Sequence, residues 1–240
     1  MGCDIHLYVE VRGPDKVWGS YEEWVDKYGE GRFDVPYEKQ VYTGRSYDLF
    51  SILANVRNGY GFGGVDTGEG FVPISEPRGL PDDVSFEVQR CADDWEADGH
   101  SHSYLTVQEL MEYDWTQVTT KRGIVSALEY VEWSRWRKGE GLGPESYSGG
   151  VFGKDIKHVS VEEMAKVVAE YRKKVPEAAE YMWLKALGEE DSFSFGRYHT
   201  QVSWDTPYYR SAAGFLGEVL PQLWRMGKFE DVRIVFWFDN

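Results

Sequence analysis

Cys3-Asp4-Ile5-His6-Leu7-Tyr8-Val9-Glu10-Val11 alternates strictly, and Val232-Arg233-Ile234-Val235-Phe236-Trp237-Phe238-Asp239, near the other end of the chain, is β-branched and aromatic at the same two-residue period. In the first stretch Cys3, Ile5, Leu7, Val9 and Val11 share one face while Asp4, His6, Tyr8 and Glu10 share the other, the pattern of a half-buried strand. The second stretch fits a strand as well, so both chain ends are expected in one sheet. A sheet that uses both ends favours a single domain over residues 1–240.

Helices are expected between these strands. Tyr47 to Val56 places Leu49, Phe50, Leu53 and Val56 on one face, and Arg57-Asn58-Gly59 ends it. Thr106-x-x-Glu109 and Ser160-x-x-Glu163 read as capping boxes, opening helices over Val107 to Tyr113 and Val161 to Lys174. A third helix is expected over Ser126 to Lys138, with Leu128, Val131 and Arg135 on one stripe and Trp133 and Trp136 on its flank. A fourth runs from Tyr208 to Met226, kinked or restarted at Pro221 and stopped near Gly227. The class is α+β. Gly59 to Gly70, Glu76 to Pro81 and Gly139 to Gly153 read as loops, none of them an interdomain linker.

The chain has 240 residues, 42% of them hydrophobic, with 10 Trp, 16 Tyr and 12 Phe, which is enough for a packed core and excludes general disorder. No stretch approaches the ~20 uncharged apolar residues of a membrane span, and Met1 to His6 lacks the basic start and apolar middle of a signal peptide. The cytoplasm is the expected compartment. Cys3 and Cys91 are too few for a disulfide scaffold and form no C-x-x-C pair, so both read as buried thiols. Net charge is −15, with 9 basic and 23 acidic residues in 1–120 against 17 and 18 in 121–240. Such a surface repels phosphate backbones, which argues against general nucleic-acid binding and leaves small ligands and cations open.

Gly59-Tyr60-Gly61-Phe62-Gly63-Gly64 satisfies G-x-G-x-x-G, but a helix precedes it where a dinucleotide fold needs a strand, so it reads as a turn or lid. The five histidines say more. Asp4-x-His6 puts two potential ligands on one strand face, and Asp98-Gly99-His100-Ser101-His102 repeats the pattern if extended. Imidazole with carboxylate suits Zn, Mn or Fe better than Ca or Mg. The competing reading is structural: His6 satisfies hydrogen bonds beside the sheet, and residues 98–103 lead into the helix near Thr106. His158 and His199 stand alone and read as surface or packing residues.

Asp4-Ile5-His6-Leu7 and Gly99-His100-Ser101-His102 resemble the first and last metal motifs of calcineurin-like metallophosphoesterases, in which D-x-H and G-H-x-H hold two metals around a bridging hydroxide. The G-D-x-x-D and G-N-H segments of that family have no counterpart here; the asparagines are Asn55, Asn58 and Asn240. A second resemblance spans nearly the whole chain. Met1 to His6, Tyr47-Asp48-Leu49-Phe50, Val56-Arg57-Asn58, Glu76 to Pro81, Asp98 to Ser103 and Val232 to Asn240 look like a family of uncharacterised proteins encoded by bacteriophages and prophages. That resemblance implies a phage-associated accessory protein in the bacterial host cytoplasm and assigns no activity.

The leading expectation is a metal-dependent hydrolase of a phosphoester such as a nucleotide or cyclic-nucleotide signal. Asp4, His6, His100 and His102 would hold a divalent metal, Asp98 would orient a ligand or act as base, and Arg57 and Arg78 would neutralise the phosphate beside Tyr8. Arg45, ahead of the first helix, is a third candidate for such an anion clamp; salt bridges to the abundant carboxylates are the alternative for all three arginines. The rival expectation is a non-catalytic protein that sequesters a nucleotide ligand or blocks a host defence protein, or whose acidic N-terminal half mimics DNA. Substrate, metal, host target and oligomeric state stay open.

Overall fold

The alternation of the opening stretch becomes strand β1 (Asp4–Arg12), with Cys3, Ile5, Leu7 and Val9 buried in one core. The structure, a computed structural model, describes residues 2–26, 29, 31, 33–175 and 182–239. After β1 come β2 (Trp18–Ser20), β3 (Val25–Asp26), β4 (Phe33–Asp34), α1 (Tyr47–Ala54), α2 (Phe86–Asp94), β5 (His100–Thr106) and α3 (Val107–Glu112). Next are β6 (Val118–Ser126), α4 (Ala127–Arg137), β7 (Lys157–His158), α5 (Val161–Arg172), α6 (Trp183–Ala186), α7 (Glu189–Gly196) and β8 (Tyr198–Pro207). The series ends with α8 (Tyr208–Ser211), α9 (Leu220–Met226) and β9 (Val232–Asp239), and the fold is α+β. Both capping boxes form: Thr106 and Ser160 each accept from the N3 backbone while Glu109 and Glu163 reach back. No helix among the described residues is long and apolar enough to cross a membrane.

Contacts cluster into two compact units, one of Met1–Gly63, Phe71–Gln117 and Pro207–Asn240, the other of Gly64–Gly70 and Val118–Thr206. In the first unit both end strands share a sheet of order β2-β1-β9-β5, with β9 antiparallel to β1 and to β5 and a register running from Asp4↔Asp239 to Val11↔Val232. The one-domain expectation draws on that sheet, which lies wholly in this unit.

One face of the sheet packs on Leu49, Phe50, Ile52 and Leu53 of α1, Leu110 of α3 and Leu223 of α9. The other is not the solvated face that the alternation suggests. Tyr8 joins Val88, Cys91 and Ala92 of α2, with Val235 and Trp237, in a second core, and Glu10 is fully buried. Helix α2 is absent from the elements expected above, although Val88, Cys91 and Ala92 keep the i, i+3, i+4 spacing of a helical stripe behind the N-cap Ser85. The Tyr208–Met226 segment is also more broken than expected. α8 ends at Ser211 and a π-helical turn covers Phe215–Val219; Pro221 sits in the first turn of α9, where a missing N–H is harmless.

In the second unit β8 lies between β6 and β7, with β7 parallel to it. Val125, Tyr130, Trp133, Met164, Phe195 and Trp204 form its core, and the Trp133 indole N–H donates to the Ser203 carbonyl at 2.8 Å. On α4 the buried face is Ala127, Tyr130, Val131 and Trp133, whereas Leu128 is 42% exposed. The expected stripe is thus rotated, because the paired rings of Tyr130 and Trp133, 5.2 Å apart, bury more surface than one leucine.

Candidate functional site

Antiparallel pairing of β1 with β9 sets Asp4 opposite Asp239 and His6 opposite Trp237. The side chains of Asp4, His6 and Asp239 open into a cleft of about 640 Å³ in the first unit. Its floor is Asp4, His6 and Tyr8 of β1 with Asp239 of β9; Cys91, Asp94, Trp95 and Asp98 come from the end of α2 and the turn after it; Phe33, Asp34, Tyr37, Gln40 and Thr43 close the remaining side. The turn is tight because the Trp95 carbonyl accepts from the N–H of Asp98 at 2.9 Å and of Gly99 at 3.3 Å. A Cβ on Gly99 would stand 3.1 Å from that of Trp95 and 3.4 Å from Cδ1 of Trp237, so this approach favours glycine.

Five carboxylates line the cleft, and among its described lining residues there is no lysine or arginine. His6 Nε2 lies 3.2 Å from Oδ2 of Asp239, and its ring sits 4.0 Å from that of Trp95. Asp4 is gripped by the Arg45 guanidinium through two contacts, which holds its carboxyl below its ordinary range. Asp98 makes no side-chain contact of this kind among the described residues. Tyr8 is buried, with its hydroxyl 3.2 Å from Sγ of Cys91 and its ring 4.8 Å from that of Trp24. Burial raises the pKa of the phenol and pushes that of the Cys91 thiol up to about 12, so neither supplies an anionic nucleophile near neutral pH.

Of the residues singled out from sequence, Asp4, His6, Tyr8 and Asp98 meet at this cleft; His100, His102, Arg57 and Arg78 do not line it. The metal set is separated by Trp237. On the middle strand of the three, its indole stacks with His6 of β1 at 5.8 Å and with His102 of β5 at 5.5 Å, so an aromatic ring occupies the space a shared ion would need. His100 is parted from both by a bulge. It pairs with Phe238 while Ser103 pairs with Phe236, three residues on β5 against two on β9, and Ser101 has φ of +54°. The chain there is therefore not the extended one on which the repeated D-x-H pattern depends. The His100 ring lies 6.1 Å from that of Phe238, with Nε2 buried and unpartnered. Burial, and then the neighbouring His100, lowers the pKa of His102. Among the described residues no group of three or more His, Cys, Asp or Glu is placed to hold a metal ion.

The arginines are dispersed as well. Arg57 donates to the Gly2 carbonyl at 3.4 Å and lies over the Tyr47 ring, beside Cys3 on the opposite face of the sheet from His6. Arg78 bonds Glu109 at 2.7 Å and the Tyr104 carbonyl at 3.2 Å. Neither faces the cleft, so the expected anion clamp does not form there. The residues that the sequence reading missed are Asp239, Trp95, Asp94, Asp34 and Tyr37. Asp239 was recoverable from the antiparallel register, and Asp94 and Trp95 from the helical i, i+3, i+4 spacing of Val88, Cys91 and Ala92; Asp34 and Tyr37 belong to the 33–43 segment, which carries only a two-residue strand and one short turn. No protein-family model matches this chain, and neither does any curated protein or solved structure.

Proposed function

We propose that the cleft binds a cationic group and that the protein is a non-catalytic accessory protein that seats a basic side chain of a partner. The observation that carries this reading is the lining itself: Asp34, Asp94, Asp98 and Asp239 beside the rings of Trp95 and Tyr37, with His6 the one basic side chain among the described lining residues and Arg45 held on Asp4 at the edge. A guanidinium fits both features, forking onto carboxylates and lying flat on an aromatic face. A phosphate would be repelled there, and Arg57 and Arg78 are engaged elsewhere, so capture of a host protein is favoured over sequestration of a nucleotide. Resemblance to phage-encoded proteins supports the bacterial cytoplasm as the setting.

Calorimetric titration with N-acetyl-arginine amide and, separately, with AMP and a cyclic nucleotide tests the proposal. The arginine amide should bind with an affinity that falls as salt rises, and Asp98→Asn or Trp95→Ala should weaken it about tenfold, the scale of one charge-assisted bond. Nucleotide binding without arginine binding would overturn the reading. The phosphoester-hydrolase alternative needs Asp4, His6, His100 and His102 around one or two ions, and the Trp237 ring stacked between His6 and His102 weighs against that. Turnover of bis-p-nitrophenyl phosphate that requires Zn, Mn or Fe and is lost in His6→Ala would put it ahead.

A further inference from the structure

His158 and His199, 41 positions apart in the chain, are direct partners in the parallel β7–β8 ladder of the second unit. Their ring centres are 6.4 Å apart. Each ring has one nitrogen committed to a backbone carbonyl: His158 Nε2 to Val151 at 2.8 Å, and His199 Nδ1 to Arg197 at 3.1 Å. A carbonyl only accepts, so both of these nitrogens carry the proton. In the neutral imidazoles this leaves lone pairs on Nδ1 of His158 and Nε2 of His199.

We propose that His158 and His199 form a two-imidazole site for a late first-row divalent cation, Cu²⁺, Ni²⁺ or Zn²⁺, with water completing the coordination. An N–H···O=C bond from the far nitrogen is the arrangement that fixes the tautomer and orientation of metal-binding histidines, and here both rings already have it. Metal–nitrogen bonds of ~2.0–2.1 Å put two ligand rings roughly 5–6.5 Å apart, centre to centre. The observed spacing of 6.4 Å lies at the open end of that range. Lys157 belongs to the neighbouring rung, where its ammonium lies 4.6 Å from the centre of the Tyr198 ring; alternation turns that cation to the opposite side of the strand pair from the imidazoles. His158 is exposed and His199 half-buried, which leaves a route for the ion. A purely nitrogen donor set selects these ions over Mg²⁺ and Ca²⁺.

The test uses the full chain purified without an affinity tag containing histidine. Titration with Cu²⁺, Ni²⁺ and Zn²⁺ against a chromophoric chelator should show one equivalent bound, unaffected by excess Mg²⁺. His158→Asn and His199→Gln should each lower the affinity at least tenfold, and the double variant should bind at least as weakly as the weaker single one. His6→Ala and His102→Ala serve as controls that should bind as the parent does, and unchanged circular dichroism establishes that the variants fold. Cu²⁺ bound to the parent should give an electron-paramagnetic spectrum with two nitrogen ligands, reduced in either single variant. Loss of binding in His6→Ala or His102→Ala, or parent-like affinity in the His158 and His199 variants, would overturn the proposal.

Discussion

Nε of Arg233 donates to Oε2 of Glu10 at 2.7 Å across the β1–β9 ladder, with the two side chains 4% and 0% exposed. Such a pair is tolerable only because its other groups are bonded: Glu10 also accepts from the Ser85 N–H at 2.7 Å, and Arg233 donates to Asp83 at 2.7 Å and lies over Trp18. Removing one partner strands the other. Glu10→Ala or Arg233→Ala should each cost about 3–5 kcal/mol in urea unfolding, and a double variant to apolar residues of similar volume should cost less than the sum. Additive losses would mean that the pair is not coupled.

Glu22 fastens the segment after β2 to β1, accepting from the Val9 N–H at 2.8 Å and from the Ser20 hydroxyl at 3.0 Å. Burial pushes its carboxyl from an ordinary 4.5 up to about 7, despite those bonds, and the nearby Glu10 carboxylate pushes the same way. Folding thus favours the protonated form. Its contribution is complete below about 4.5 and fades as pH rises through about 7. Glu22→Gln should abolish this part of the pH dependence, so parent and variant should diverge by about 1–3 kcal/mol between pH 5 and 8, the parent losing stability as pH rises. Parallel stability curves for the two proteins would contradict it.

Gly68 bridges to Lys121 of β6 with φ of +135°, and a Cβ there would lie 2.2 Å from the Thr120 carbonyl oxygen. Nothing flexible can yield, since the obstacle is backbone. Gly68→Ala should destabilise the second unit by about 2 kcal/mol or more and speed amide exchange in β6, while exchange in β9 stays as it was.

Cys91 lines the cleft yet should be inert. With its thiol raised to about 12, and that of Cys3 also raised by burial, a thiol reagent at pH 8 should label neither in the native protein and both after denaturation. Rapid native labelling of Cys91 would show that the Tyr8–Cys91 contact opens readily.

The sequence by itself determined the end strands, both capping boxes, the existence of α1 and α4 and the α+β class, because each follows from local spacing: two-residue alternation, S/T-x-x-E, or a 3.6-residue stripe. It also placed Asp4, His6 and Tyr8 on one face. Tertiary structure alone decided what that face meets. α2 covers it with Val88, Cys91 and Ala92, an i, i+3, i+4 stripe that marks a helix but not the face on which it packs, and so turns an apparently solvated row into a second core. Whether His6, His100 and His102 share a space depended on one bulge and on the ring between them. The +54° φ of Ser101 shifts the register of β5, and Trp237 fills the gap; neither is encoded in the spacing of the histidines. For the same reason His158 and His199 look unrelated in sequence and become neighbours only when β7 pairs with β8, since strand pairing over a long separation is set by the burial of whole faces and not by the residues that it happens to bring together.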